Sequence, residues 1–562
     1  MDRALNHTYI SFAFGEEHIL GLPTTEQLAN LIVKLELELV QGIDETGIRM
    51  DLNPLKSSAW YLHGIASTKA SSTYPLEQRR RAFAVSSHVL DLLLDAPFET
   101  DFERLTTAFA AQVGYHRADE SPNASAIYRK VLDMVKEPSD LSDCASVAFQ
   151  AGILLLGLDI STLSQWLHIW AESATNITRG TGLTNLDGTM FGPIQRLLCG
   201  VAEIVRYLRE GELNALDHAR IHLNCVVKNK IRVGDIYTRW IAAHLNLLAG
   251  SLAENSIWAV LPSEVPTTVK QAFTLGRQPV LTLWPPQRKL LTDTSLSPLS
   301  PDNSRLLVSV PTSAGKTLLA QIIICTHLAR GEGGVCYVMP FRSLGREMRK
   351  NLRSRLRYLN FDIGLELPDV FGTWNPFEDT VVGGVRKDSE FPDVEIMTPE
   401  RLMNALRHSP QQVLDRFSLF IVDEVHLMAE AGGRGLLLEG LLSLLNASAS
   451  RLILLSGVLG NAGSLAKWAS DGNSEVLFTD DWRAPRRLHI LLGTEKIEGS
   501  RTQIPAARKG SKAKIRYDLC AHLAIRSPDA KVHDLVVNNG SPIGQLILDL
   551  NNKRIAGSSP HY

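Results

Sequence analysis

The sequence predicts an α/β domain on a parallel sheet, preceded by a mostly α-helical region. Three observations predict it. Short apolar runs alternate with helical patterns from residue 306 to 455. The residues that carry chemistry fall just after the carboxyl ends of those runs, where functional loops of parallel sheets lie. Before residue 260 the apolar spacing is mostly helical.

The chain has 562 residues, enough for about three to four domains. Its 44% hydrophobic and 21% charged content is that of an ordinary globular protein with ample core. A net charge of −2 means that any nucleic-acid contact must use local basic patches. Six scattered cysteines form no C-x-x-C pair, which argues against a zinc site or a disulfide framework. That usage fits a reducing compartment, and a cytoplasmic location is expected. The N-terminus lacks a basic-then-apolar signal pattern. The longest largely apolar run, 144–158, is too short to span a membrane and reads as a buried helix. No membrane partner is expected.

In chain order, Pro23 and Thr24-Thr-Glu-Gln27 form a capping-box pattern before leucines at positions 28, 31, 35 and 39. Helical patterns follow over 76–95, 123–135, 145–157, 163–171 and 217–252, with loops expected at 67–74 and 175–192. No repeat period emerges. Trp166 and Trp170 share a helical face and read as core. His218 and His222 share another, but Ala219 stands where a metalloprotease pattern needs Glu, so they read as a polar face. A linker is expected at 262–268.

Leu281-Thr-Leu-Trp-Pro-Pro-Gln287 then sets up a helix start. The Gln287 amide can donate and accept at an adenine edge. Residues 306–310 read as a buried strand, 311–315 as a turn and 318–329 as a helix. Pro311, Thr312, Ser313, Ala314, Gly315, Lys316 and Thr317 thus form a phosphate-cradling loop. Unpartnered backbone N–H groups at a helix start point at an anion. Lys316 supplies a point charge for the outer phosphates, and the Thr317 hydroxyl a ligand for Mg²⁺. The usual first glycine of the motif is Val310 here.

Strands are expected at 334–339, 394–397, 419–422 and 451–455. Asp423, just past the fourth strand, can hold Mg²⁺ beside the phosphates, and Glu424 can orient or deprotonate an attacking water. Arg346, Arg349, Lys350, Arg353 and Arg357 form a basic stripe, either a solvated face or a phosphate-tracking surface.

Together, P-T-S-A-G-K-T (311–317), D-E-V-H (423–426), T-P-E-R-L (398–402) and the segment around Arg342 resemble superfamily 2 helicases of the DExH type. Gly433-Arg-Gly-Leu-Leu-Leu-Glu439, Leu459-Gly-Asn461 and Asp481-Trp-Arg483 look most like the Ski-type branch. The resemblance covers 281–483 and implies a RecA-like domain that binds ATP and Mg²⁺. It implies that Lys316 and Thr317 bind phosphate and metal, and that Asp423 and Glu424 hold metal and activate water. By the same resemblance His426 and Ser456 couple nucleotide state to nucleic acid, while Arg342, Thr398 and Arg401 touch a DNA or RNA backbone. Ser456-Gly-Val458 replaces the family's S-A-T, so Val458 lacks the threonine hydroxyl.

The expected division is a helical domain over 1–265, a RecA-like ATP-binding domain over 266–483 and a tail over 484–562. Within the tail, 501–516 reads as basic loop and 532–555 as a short hairpin. The 79 residues after Arg483 carry no Q-x-x-G-R-x-G-R pattern. A truncated chain, or a partner protein supplying the second helicase lobe, is therefore expected. The expected function is ATP-dependent helicase or translocase action. Alternatives are an ATP- and nucleic-acid-binding module with little turnover, or an ATP-switched interaction protein.

Overall fold

Six parallel strands carry the α/β part of the protein in the computed structural model. They are β1 (Arg305–Ser309), β2 (Gly334–Val338), β3 (Val394–Met397), β4 (Phe417–Val422), β5 (Arg451–Ser456) and β6 (Leu477–Thr479), in the order β3-β2-β4-β5-β1-β6. The structure describes residues 53–67, 75–94, 100–138, 143–181, 192–228, 236–275, 279–311, 314–363, 392–429, 433–457, 459–470, 476–482, 490–504, 514–525 and 532–536. The described residues fall into two compact units, one lying within Met1–Ile194, Ile231–Ile241 and Ala484–Tyr562, the other within Gln195–Lys230 and Ala242–Arg483.

In the second unit every strand pair is parallel, so all carboxyl ends share one edge. The strands read as continuous apolar runs because both faces are covered. Side chains alternate between faces. Leu306, Val308, Leu419, Ile421, Ile453 and Leu455 enter one buried cluster, which includes residues of helices Pro285–Leu291, Lys316–Ala329 and Arg342–Tyr358. Leu307, Phe420, Val422, Leu452 and Leu454 enter the other, with residues of Pro399–His408, Gly433–Asn446 and Ala462–Ala469. A strand sandwiched this way leaves few places for a polar side chain except its end. That is where the functional candidates stand. This unit also takes in helix Leu213–Lys228 and most of Ile236–Asn255, so it reaches back along the chain before residue 266.

The first unit is helical up to residue 194. Helix Cys144–Leu156 is almost wholly buried, in keeping with its apolar sequence. Phe109 and Phe149 meet edge-on at 5.6 Å, and Trp240 packs against both. Trp166 is fully buried and Trp170 nearly so, as core residues. Among the described residues no helix is long and apolar enough to cross a membrane, and no cluster of His, Cys, Asp and Glu is placed to hold a metal by itself.

Several local expectations are corrected. The 123–135 pattern is two helices, Ser121–Lys130 and Leu132–Val135, and 217–252 is Leu213–Lys228 and Ile236–Asn255. Helix Ile160–Thr181 continues through residues 175–181, read as loop, because nothing in Asn176-Ile-Thr-Arg179 breaks a helix. The 501–516 loop is partly strand. Residues 501–504 end β7 (Ile490–Ile504) and 514–516 begin β8 (Lys514–Ile525), which pair antiparallel. β9 (Val532–Val536) pairs with β8 as a third strand. The capping box at 24–27, the loop at 68–74 and residues 537–555 of the expected hairpin lie outside the described residues.

A candidate nucleotide and nucleic-acid site at the carboxyl edge of the sheet

The phosphate loop leaves β1 and turns into helix Lys316–Ala329. Ala314 N donates to Pro311 O at 3.1 Å, closing the turn. Gly315 is the residue before the helix and has φ +85°, a left-handed conformation that only glycine adopts without strain. A Cβ at Gly315 would overlap the Gln287 amide nitrogen and lie 3.2 Å from the Trp284 ring. No side chain caps this helix. Thr312 and Ser313 lie outside the described residues, while Thr317 is exposed at the helix start.

Gln287 is buried, and both ends of its amide have partners within the chain. Its Oε1 accepts from Trp284 N at 2.9 Å, and its Nε2 donates to Gly315 O at 3.0 Å. Gln287 therefore ties the helix Pro285–Leu291 to the phosphate loop. Pro285-Pro286 makes the helix start at the position that lets its third residue reach back to Trp284.

β4 brings the acidic pair to the same edge. Asp423 N donates to Val338 O at 2.9 Å, extending the ladder with β2. The Asp423 carboxylate is buried and hydrogen-bonded at both oxygens. Oδ2 accepts from the Tyr337 hydroxyl at 2.7 Å, and Oδ1 accepts from Glu424 N at 2.8 Å. Burial pushes the Asp423 pKa above the ordinary carboxylate range, against the opposing Tyr337 hydrogen bond. Burial, then the Asp423 charge, pushes the Tyr337 phenol well above its ordinary value. The sequence does not single out Tyr337. Its only signal is a hydroxyl on an otherwise apolar buried strand.

Glu424 has φ +54°, a left-handed conformation in a residue other than glycine. Such strain costs about 1–3 kcal/mol and is found where geometry matters to function. Here it turns the carboxylate towards the phosphate loop. Glu424 Oε2 lies 3.7 Å from Lys316 Nζ and 3.2 Å from His426 Nδ1. A Cβ at Gly457 would lie 3.7 Å from His426 Cε1. His426 thus stands between Glu424 and the turn after β5. Ser309, at the end of β1, holds that turn by donating to Gly457 O at 3.1 Å and accepting from Leu459 N at 3.2 Å. Ser456 is fully buried beside it, and Val458 lies outside the described residues.

Among the described residues, four buried atoms at this edge have no hydrogen-bond partner: Ser456 Oγ, and Lys316 Nζ, Glu424 Oε2 and His426 Nδ1, which are joined to one another only as ion pairs. Lys316, 3.7 Å from the Glu424 carboxylate, keeps its donors for a ligand, and leaving a buried donor unmet costs about 1–3 kcal/mol. A triphosphate with Mg²⁺ fits. Its oxygens would suit the ammonium, and Asp423 and Thr317 are the residues that would hold a hard cation there.

Residues 285–462 match the DEAD/DEAH box helicase family. They form a DEAD/DEAH box helicase domain. Among similar proteins, the Hachiman protein HamB of Bacillus cereus is 26% identical over 307 residues, covering 52% of this chain and 25% of that one. ATP-dependent DNA helicase Hel308 of Pyrococcus abyssi is 30% identical over 201 residues, covering 36% and 25%. The structure of the Mycobacterium smegmatis helicase Lhr bound to ssDNA and AMP-PNP overlays 39% of this chain and 28% of its own, at 24% identity and a TM-score of 0.30. The chain spans about a quarter of the length of HamB and Hel308.

The helicase domain also contains the candidate strand contacts. Arg342 is exposed at the start of helix Arg342–Tyr358, after β2. Thr398 follows β3 and caps helix Pro399–His408 by accepting from Arg401 N at 3.4 Å. Both sites border the same sheet edge. Arg349 leaves the expected basic stripe, because it is buried and donates to Ile396 O at 3.2 Å. Arg355 is buried as well, with its guanidinium 4.4 Å from the centre of the Phe273 ring.

Proposed function

We propose that this chain is an ATP-dependent nucleic-acid helicase or translocase whose residues 266–483 bind ATP–Mg²⁺ and couple its hydrolysis to strand binding. The observation that carries the reading is the approach of the Glu424 carboxylate to both Lys316 and His426, next to the buried Asp423, at one edge of the sheet.

The residues divide the work as follows. Lys316 now faces Glu424, and a γ-phosphate offers it a closer and more highly charged partner. Moving to the phosphate, Lys316 releases the Glu424 carboxylate to accept a proton from the attacking water. Thr317 and Asp423 are the ligands offered to Mg²⁺, which neutralises charge on the phosphates when bound. Tyr337 and the Glu424 N–H fix the plane of the Asp423 carboxylate. His426 carries a shift of Glu424 to the Ser456–Gly457 turn. Arg342, Thr398 and Arg401 supply contacts to the nucleic-acid backbone. The names of the Hel308 relatives favour DNA as the strand, and the 433–439 and 481–483 motifs favour the Ski-type branch.

ATP turnover tests this, measured with and without single-stranded DNA or RNA, in the wild type and in Lys316→Ala. Turnover stimulated by a strand and abolished by the substitution is expected. Equal turnover in both proteins would refute the assignment of the site.

A further inference from the structure

Helix Arg342–Tyr358 carries seven basic residues and a single glutamate, in a chain of net charge −2. The fold sorts them. Arg349 and Arg355 turn inward with Met348, Leu352 and Leu356. Arg342, Arg346, Lys350, Arg353 and Arg357 are exposed. Their spacing of four, four, three and four residues keeps them within an arc of about 80° over a length of about 22 Å. An ordinary solvated helix face mixes both signs, because like charges three or four residues apart repel. Here the outward row has one sign.

An exposed aromatic stands at each end of the helix, one on either side of the row. Phe341 is 41% exposed and Tyr358 47% exposed. The Arg434 guanidinium lies 5.5 Å from the centre of the Phe341 ring and is itself paired with Glu400 at 3.2 Å. The Tyr358 hydroxyl donates to Gln271 Oε1 at 3.4 Å, which anchors its ring. Cations in a row that track a backbone, with aromatic rings on which bases stack, are the two parts of a single-strand binding track.

We propose that the outer face of this helix is a second track for single-stranded nucleic acid, beyond the contacts at the sheet edge. In it Arg346, Lys350, Arg353 and Arg357 follow successive phosphates, and Phe341 and Tyr358 stack on unpaired bases. The proposal rests on the nucleic-acid reading of the domain. The track starts at Arg342, after β2 at the carboxyl edge of the sheet, and runs along the helix. The sugar is not distinguished by phosphates and base faces, so DNA and RNA are both admitted.

The test is fluorescence anisotropy of labelled single-stranded DNA and RNA with the full chain, between about 50 and 200 mM salt. The variants are the triple substitution Lys350→Gln, Arg353→Gln, Arg357→Gln and the pair Phe341→Ala, Tyr358→Ala. Each phosphate contact contributes about 0.7 to the slope of log K against log salt for a single strand. The triple variant should lose about 2 from that slope and keep its strand-free ATP turnover. The aromatic pair should lower affinity about tenfold or more and leave the slope in place. A wild-type slope retained in the triple variant, with binding intact, would overturn this proposal alone. No binding of either strand by the wild type would overturn it together with the reading it rests on. An equal loss on duplex DNA with no effect of the aromatic pair would make the face a duplex-backbone site and refute the single-strand track. Loss of binding to phosphatidylserine vesicles, with the nucleic-acid slope unchanged, would assign the face to lipid instead.

Discussion

Replacing Gly315 by alanine isolates what the phosphate loop demands of its backbone. Gly315 sits at φ +85°, where an L-residue with a Cβ costs about 1–2 kcal/mol. The new methyl group would also overlap Gln287 Nε2, whose hydrogen bond to Gly315 O contributes about 1 kcal/mol. The sum is about 2–3 kcal/mol. At about 2–4 °C per kcal/mol for a domain of this size, the melting temperature should fall roughly 5–10 °C. The transition to follow is the one that ATP–Mg²⁺ shifts. In a Gln287→Ala background the overlap disappears, and Gly315→Ala should then cost only the backbone part. The two substitutions should therefore couple by about 1 kcal/mol. A Gly315→Ala protein that melts within a degree of the wild type would refute both the conformational and the steric part of the argument.

Three further outcomes follow from the same geometry. Burial raises the Asp423 pKa, so its contribution favours the fold below the unfolded value and is lost as pH rises through the folded one. At neutral pH Asp423→Asn should therefore raise the melting temperature of the nucleotide-free protein while abolishing ATP turnover, by thermal scan and phosphate release. Tyr337→Phe removes a hydrogen bond to a buried carboxylate, worth about 2 kcal/mol. It should melt earlier and need more Mg²⁺ for half-maximal turnover. His63, buried among Trp60, Phe83 and Trp240, has its pKa lowered to about 4 by burial and then by Arg117. Its neutral form is the folded one, so stability is held above pH 6.5 and lost as pH falls towards 4. Denaturant unfolding across that window should show a loss of about 3 kcal/mol, absent in His63→Leu.

The parts legible in the sequence are those set by local chain chemistry. The strand, glycine turn and helix around Gly315 announce themselves because each element is contiguous. Asp423 and Glu424 are legible because a buried strand seldom ends in two carboxylates without a reason. Pairings made across the sheet leave no such trace. Tyr337 meets Asp423 from 86 positions away, and Ser309 meets Gly457 from 148. The basic helix shows the same limit. Its sequence displays seven cations, but which two turn inward depends on the Ile396 carbonyl and the Phe273 ring, supplied by other elements. Gln287 has the residue type that suits a base edge, and its actual bonds to Trp284 and Gly315 depend on how two segments meet.

The central claim is that Glu424 is the base acting on ATP held by Lys316. The most direct measurement is ATP binding and single-turnover hydrolysis by Glu424→Gln in the presence of single-stranded DNA. Retained ATP affinity with hydrolysis slowed about 10²–10⁴-fold is the predicted result. Hydrolysis at the wild-type rate would contradict it.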